Sequence, residues 1–204
     1  PFYQIYWNEG KLNREIIKDY AEQYYQHVKA FPRYISATHS ICEDIEKRRI
    51  LLENLQDEEN KDGDHPKLWK NFAKALGADD KKIENAKLDW FTKDMIDNFF
   101  AQARKSYAEG LASLYTYERQ IPEIAETKIQ GLKKFYGVNS KEGLEFFEAH
   151  KSADVIHRAE CEKLLDGLSK EEQKKAENAS LLTARYLWNF LSGMTSKHKL
   201  KAAA

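Results

Sequence analysis

Three observations in the sequence predict an all-α protein, a helical bundle of about seven helices. Apolar residues recur at three- and four-residue spacings through long charged segments, the amphipathic helix pattern, and the strict alternation of a half-buried strand is nearly absent. Glycine and proline number only 9 and 4 in 204 residues, roughly half of their ordinary combined share, which disfavours turn-dense sandwiches and barrels. Hydrophobic residues make up 42% and aromatics 12%, enough to build one core at this length.

The elements follow in order. A long helix is expected from Asn13 to Cys42, bent or interrupted at Pro32, which lacks an amide hydrogen and crowds the preceding turn. A second, from Glu43 toward Asn60, carries Ile45, Leu51, Leu52 and Leu55 and stops in the turn-forming run Lys61-Asp62-Gly63-Asp64. Pro66 suits the first turn of a third helix bearing Leu68, Trp69, Phe72 and Leu76, which Gly77 ends. Residues 78–89 read as a connection with room for a short helix. Thr92 to Gln120 reads as one long helix with Phe99, Tyr107, Leu111 and Leu114 on one side. Pro122 starts another, closed at Gly137, and Leu144 to Leu168 follows Ser140 and Gly143. The last helix starts after Ser169, an N-cap followed by Glu171 and Glu172 in the positive first turn, and runs to about Leu191.

The chain reads as a single domain over residues 1–204, with 1–12 an N-terminal segment and about 196–204 a frayed tail. Because it opens on Pro1 and not on methionine, a preceding segment is expected. Thirty-three basic and 33 acidic residues cancel, which removes the usual electrostatic basis for binding nucleic acid or an anionic membrane. There is no signal peptide and no apolar run of ~18 residues. Two cysteines, Cys42 and Cys161, are too few for a disulfide scaffold and suit a reducing compartment, so a cytoplasmic location is expected.

Chemistry concentrates where an apolar seam is expected. Positions 147, 150, 154, 157, 161 and 164 keep the three-then-four spacing of one inward stripe; Phe147, Cys161 and Leu164 obey it with apolar groups, but His150, Asp154 and His157 lie between them. At 100° per residue these three fall within about 40° on one helix face. Two imidazoles and a carboxylate on a buried face are expensive to desolvate unless compensated, and a metal is one compensation. Leu51, Leu55 and Glu58 form a second stripe ending in a carboxylate, His65 follows in the turn, and Leu111, Leu114 and Glu118 repeat the arrangement. Three carboxylates and three imidazoles exceed the four ligands of a structural zinc site and suit two iron-group ions with open positions for dioxygen. The paired Glu-x-x-His signature of ferritin-type bundles is missing.

The stretches Tyr24 to Pro32, Asp57 to Asn60, Leu114 to Pro122 and His150 to His157 resemble those of the family typified by the Chlamydia protein associating with death domains (CADD). The likeness runs from about Pro1 to Leu168. It implies a haem-oxygenase-like bundle of the TenA/PqqC type, usually a homodimer. It also implies a dimetal (Fe/Fe or Mn/Fe) oxygenase that uses dioxygen and an external reductant to make p-aminobenzoate for folate synthesis from its own side chains. The family's ligand pattern falls on Glu58, His65, Glu118, His150, Asp154 and His157, the same six residues. Its sacrificed tyrosine precedes Trp and Gly-x-Leu, which here are Trp7 and Gly10-Lys11-Leu12, so Tyr3 is the match, with one extra residue before Trp7. Its nitrogen-donating lysine, ten residues beyond the ligand glutamate, corresponds to Lys128. Tyr117, beside Glu118, is a second candidate for oxidation or radical relay. Where the family has a further tyrosine, four residues before the first histidine of the helix, this chain has Phe146.

Other readings are a dimetal oxidase of an external small molecule and an adaptor that binds host death-domain proteins. Haem ligation by His27 or His39 would leave the six-residue set unexplained. A thiaminase needs a cysteine just upstream of Glu118, where Gly110 to Leu114 has none.

Overall fold

The computed structural model describes residues 2–200, the side chains of 152–156 excepted. Most helix starts carry their own cap. Asn13 accepts from the Ile16 amide at the head of α1 (Arg14–Ser40), and Asp44 from Glu46 and Lys47 at α2 (Ile45–Glu58). Asp64 caps α3 (His65–Ala75), with Pro66 in the first turn, and Asp79 caps the short α4 (Asp80–Glu84). Helix α5 (Trp90–Lys105) is followed by α6 (Tyr107–Glu118), capped by Ser106, and by α7 (Ile121–Phe135). Ser140 caps α8 (Lys141–Asp166), and Ser169 with Glu172 forms a capping box on α9 (Lys170–Lys197). A π-helical turn, Phe2–Trp7, precedes them.

The described residues are thus helical throughout, as expected, with three differences. The stretch read as one helix from Thr92 to Gln120 is two. Ser106 is extended (φ −159°, ψ 162°) and its side chain accepts from the Glu109 amide, so the local cap outweighs an apolar pattern that continues across the break. Together with α4, this makes nine α-helices among the described residues where about seven were expected. Pro32 does not interrupt α1. The lost hydrogen bond costs roughly 3 kcal/mol, but Ala30, Phe31, Pro32, Tyr34 and Ile35 are all buried and their packing holds the helix continuous. Helix α9 continues past Leu191 to Lys197, with Gly193 and Met194 buried. Among the described residues no helix is long and apolar enough to cross a membrane.

Helix α1 is the hub, packing against α2, α3, α4, α5 and α6, while α8 lies against α3, α6 and α7. Arg14 fixes the start of α1 by donating to the Ala75 and Leu76 carbonyls at the end of α3, and Gly77 leaves that helix at φ +85°. The core is unusually aromatic, with Trp7, Tyr20, Tyr25, Tyr34, Trp69, Phe72, Phe99, Phe147 and Phe190 among its fully buried side chains. His27 sits in this aromatic packing, its ring centroid 4.8 Å from Phe99 and 5.0 Å from Tyr117, and burial lowers its pKa to about 3. Fully buried among these rings, it has no face open to a haem.

The Phe2–Trp7 turn is held on the bundle by Trp7. Its indole donates to the Lys128 carbonyl at 3.4 Å, and Tyr136 donates to the Trp7 carbonyl at 2.9 Å. Gly131 on α7 leaves the notch the indole fills: a Cβ there would come within 2.8 Å of it. Gly131→Ala would gain roughly 1 kcal/mol of helix propensity and lose roughly 1–3 kcal/mol to overpacking. Trp7 is fully buried and has nowhere to move, so the loss wins. We expect a net loss of up to about 2 kcal/mol by denaturant titration, with faster amide exchange confined to residues 2–12. An unchanged midpoint and exchange pattern would show that Trp7 does not need the notch.

Candidate metal centre

Glu58 is the last residue of α2 and His65 the first of α3, so the intervening turn brings them face to face, with Glu58 Oε2 2.8 Å from His65 Nδ1. His150, in the middle of α8, lies beside His65 with ring centroids 4.2 Å apart and ring planes tilted by 45°. All three are at most 5% exposed, and one potential ligand atom from each lies within 4.8 Å of the others. The Phe146 carbonyl lies 2.7 Å from His150 Nδ1, which leaves Nε2 to face the cluster. Burial, and then the neighbouring His65, push the His150 pKa well below its ordinary value, so it stays neutral, the form that ligates metal.

Glu118, at the end of α6, is 1% exposed; one carboxylate oxygen accepts from Asn54 Nδ2 at 2.7 Å and the other lies 3.7 Å from the Cys161 thiol. Burial, and then Glu118, raise the Cys161 pKa, so the sulfur is a protonated neighbour of the carboxylate and not a thiolate ligand. His157 is buried and its Nε2 lies 3.0 Å from Asp57 Oδ2. The Asp154 side chain lies outside the described residues. The structure therefore draws Glu58, His65 and His150 into one tight group; Glu118 is held by Asn54 and Cys161 and His157 by Asp57, and His157 is near enough to His150 to help lower its pKa. Carboxylate and neutral imidazole without thiolate is a donor set that fits iron-group ions.

Asn54 and Asp57 were missed in the sequence. Asn54 lies one helical turn before Glu58, and an asparagine on that inward stripe was the available signal.

A second cluster surrounds Lys128. This lysine of α7 is 4% exposed, and its Nζ lies 4.4 Å over the Tyr3 ring, with Trp7, Tyr20, Tyr24 and Phe147 within 6 Å. Nζ is 2.8 Å from the Tyr20 hydroxyl, which is 2.9 Å from that of Tyr3. Burial lowers the Lys128 pKa to about 7 and raises those of Tyr3 and Tyr20 well above the ordinary range. Tyr117, Lys128, Phe146 and His150 line a shared cavity of only about 10 Å³. Rings connect the two clusters: Tyr20 stacks on Tyr24 at 5.4 Å, Tyr24 meets Trp69 at 5.0 Å, Trp69 meets Phe146 at 4.8 Å, and Phe146 meets His150 at 4.0 Å.

The burial of Lys128 has a stability consequence. Between pH 7 and its ordinary pKa of 10.5 the unfolded chain holds a proton that the folded chain lacks, so the folded state is penalised in full below pH 7 and progressively less as the pH rises. Lys128→Met should therefore stabilise the protein by roughly 3 kcal/mol at pH 6, after the lost hydrogen bond to Tyr20 is discounted. The gain should shrink as the pH rises, pass through zero at about pH 9 and become a loss of about the hydrogen bond's worth, roughly 1–2 kcal/mol, near pH 10.5. Denaturant midpoints across that range check this; a gain independent of pH would mean that the amine is not buried.

A family model described as an iron-containing redox enzyme matches residues 18–188. A protein named 4-aminobenzoate synthase from Chlamydia muridarum is 41% identical over 192 residues, covering 94% of this chain and 81% of that one. One of the same name from Nitrosomonas europaea is 39% identical over 206 residues, covering 95% and 83%. A TenA homologue from Pseudomonas syringae superposes with TM-score 0.82 at 17% identity over 96% of this chain and 84% of its own. A CADD-like protein from Nostoc punctiforme gives 0.77 at 13% identity over 99% and 91%. The two structures establish a shared fold. With the family model and the relatives at about 40% identity, they place the chain in the haem-oxygenase-like family of iron-containing redox enzymes.

Proposed function

We propose that this chain makes 4-aminobenzoate from its own side chains, with Tyr3 supplying the ring and Lys128 the nitrogen. On this reading Glu58, His65, Glu118, His150, Asp154 and His157 hold two metal ions, Fe/Fe or Mn/Fe, which supply the activation of dioxygen with electrons from an external reductant. The observation that carries the proposal is the Lys128 amine over the face of the Tyr3 ring at 4.4 Å. The relatives named 4-aminobenzoate synthase support the same product.

The chemistry asks two things of Tyr3. The ring carbon para to the side chain must exchange oxygen for nitrogen, and the Cα–Cβ bond must break so that Cβ leaves as the carboxylate carbon. A protonated ammonium cannot supply the nitrogen; an amine with its pKa near 7 is in large part a free base at neutral pH and can. Burial keeps the Tyr3 phenol protonated until it is oxidised. The rings of Trp7, Tyr20, Tyr24 and Phe147 surround the amine and keep water from it, and Tyr117, which lines the same cavity as Lys128 and His150, is the candidate relay.

The cavity between Lys128 and His150 bears on the source of the substrate. At about 10 Å³ it is small, which supports a substrate already built into the protein.

The test is expression with iron and manganese, elemental analysis, then reduction, exposure to oxygen and mass spectrometry of protein and product. Expected are roughly two metals per chain, 4-aminobenzoate carrying label from ring-labelled tyrosine, and a mass loss at Tyr3. Tyr3→Phe should abolish the product and keep the metal. His150→Ala should lose the metal. Metal-free wild-type protein would overturn the metal assignment, and metal without labelled product would overturn the internal substrate.

A further inference from the structure

We propose that Tyr20 relays the phenolic proton of Tyr3 to Lys128 when Tyr3 is oxidised. The inference rests on the role given to Tyr3 above and adds a residue to it. Tyr20, on α1, is fully buried, and among the described residues its hydroxyl has two hydrogen-bond partners, Tyr3 Oη at 2.9 Å and Lys128 Nζ at 2.8 Å. Tyr20 is likewise the one hydrogen-bond partner of Lys128 Nζ among those residues.

The physical reason is the cost of charge in an apolar box. Removing only an electron from the Tyr3 phenol would leave a strongly acidic cation packed against apolar rings, so the proton has to leave with the electron. A hydroxyl donates and accepts at once. Tyr20 can take the Tyr3 proton on its oxygen while giving its own to the neutral Lys128 amine, and it ends as it began. One O–H bond of Tyr3 breaks, one N–H bond of Lys128 forms, and one electron leaves to a one-electron oxidant, which bound metal and dioxygen would supply. The products are a neutral Tyr3 phenoxyl and a Lys128 ammonium, and the departing electron balances the charge.

The cage suits that end state. Five ring faces lie 4.4–5.8 Å from Nζ, which stabilises an ammonium formed in place even though burial disfavours it. From Tyr20 onward, electron and proton take separate paths. The proton moves less than 6 Å, through two hydrogen bonds, while the electron has the ring contacts from Tyr20 through Tyr24 and Trp69 toward His150.

The test oxidises Tyr3 with a flash-generated ruthenium(III) polypyridyl complex on the metal-loaded full chain, which requires no aminobenzoate chemistry. Tyr3 phenoxyl is read as the difference between wild type and Tyr3→Phe. In wild type its formation should slow in D2O. Tyr20→Phe, which keeps the ring and removes the hydroxyl, should slow it roughly 100-fold or more, in the range of a lost general base. Lys128→Met should do the same, and the double variant should be no slower than either single, since both interrupt one path. Phenoxyl formation at the wild-type rate in Tyr20→Phe overturns the relay, as does a wild-type rate identical in H2O and D2O, a readout that needs no variant to fold. The product-labelling experiment decides separately whether Tyr3 is the ring donor, so the two ideas can fail independently.

Discussion

A buried carboxylate is tolerated only where another group answers its charge, and the contact between Glu58 and His65 is where this bundle meets that demand. The pair closes the turn between α2 and α3 and faces His150 on α8, so three helices have to converge at one point for any of these groups to be buried. The hub position of α1 follows. With α2, α3, α4, α5 and α6 packed against it, α1 has neighbours along its length and carries Pro32 without a break. Asn54 and Cys161 extend the same logic to Glu118, giving each carboxylate oxygen a donor inside the core.

The second constraint is aromatic. Rings bury much area with few rotatable bonds and leave faces that attract cations. Around Lys128 they do two opposed things: they remove the water that would keep an ammonium charged, and they offer that charge several weak partners. The result is an amine balanced between its two forms near neutrality. A leucine box of the same volume would lower the pKa and offer no such partners, and a carboxylate would hold the charge in place. The ring contacts that continue to His150 make this pocket and the candidate metal centre one connected body.

How much of this was legible in the sequence depended on the range of the interaction. The stripe through Phe147, His150, His157, Cys161 and Leu164 could be read because helical period is local, and all five side chains are buried. The convergence of Glu58 and His65 was legible in their spacing across a turn. The break at Ser106 had its own signal, Ser106-x-x-Glu109, but the apolar pattern of α5 runs on into α6 and masked it. Tyr20 was not legible: a tyrosine on an apolar helix face reads as packing, and its hydroxyl finds Tyr3 from a separate turn and Lys128 from a helix 108 residues away. Pairings of that kind are set by how helices cross, which no local pattern records.

The Phe2–Trp7 turn is attached to the bundle by Trp7, and Tyr3 is only partly buried beside it. On the proposed chemistry, excision at Cβ of Tyr3 leaves the main chain intact and Trp7 in its notch. The exhausted molecule is therefore still a folded container with its histidines and carboxylates in place. Product would be dispensed by the ribosome, one molecule for each new polypeptide, and every used polypeptide would go on sequestering iron until it is degraded. Proteolytic turnover, and not catalytic turnover, then becomes the step that returns the metal to circulation.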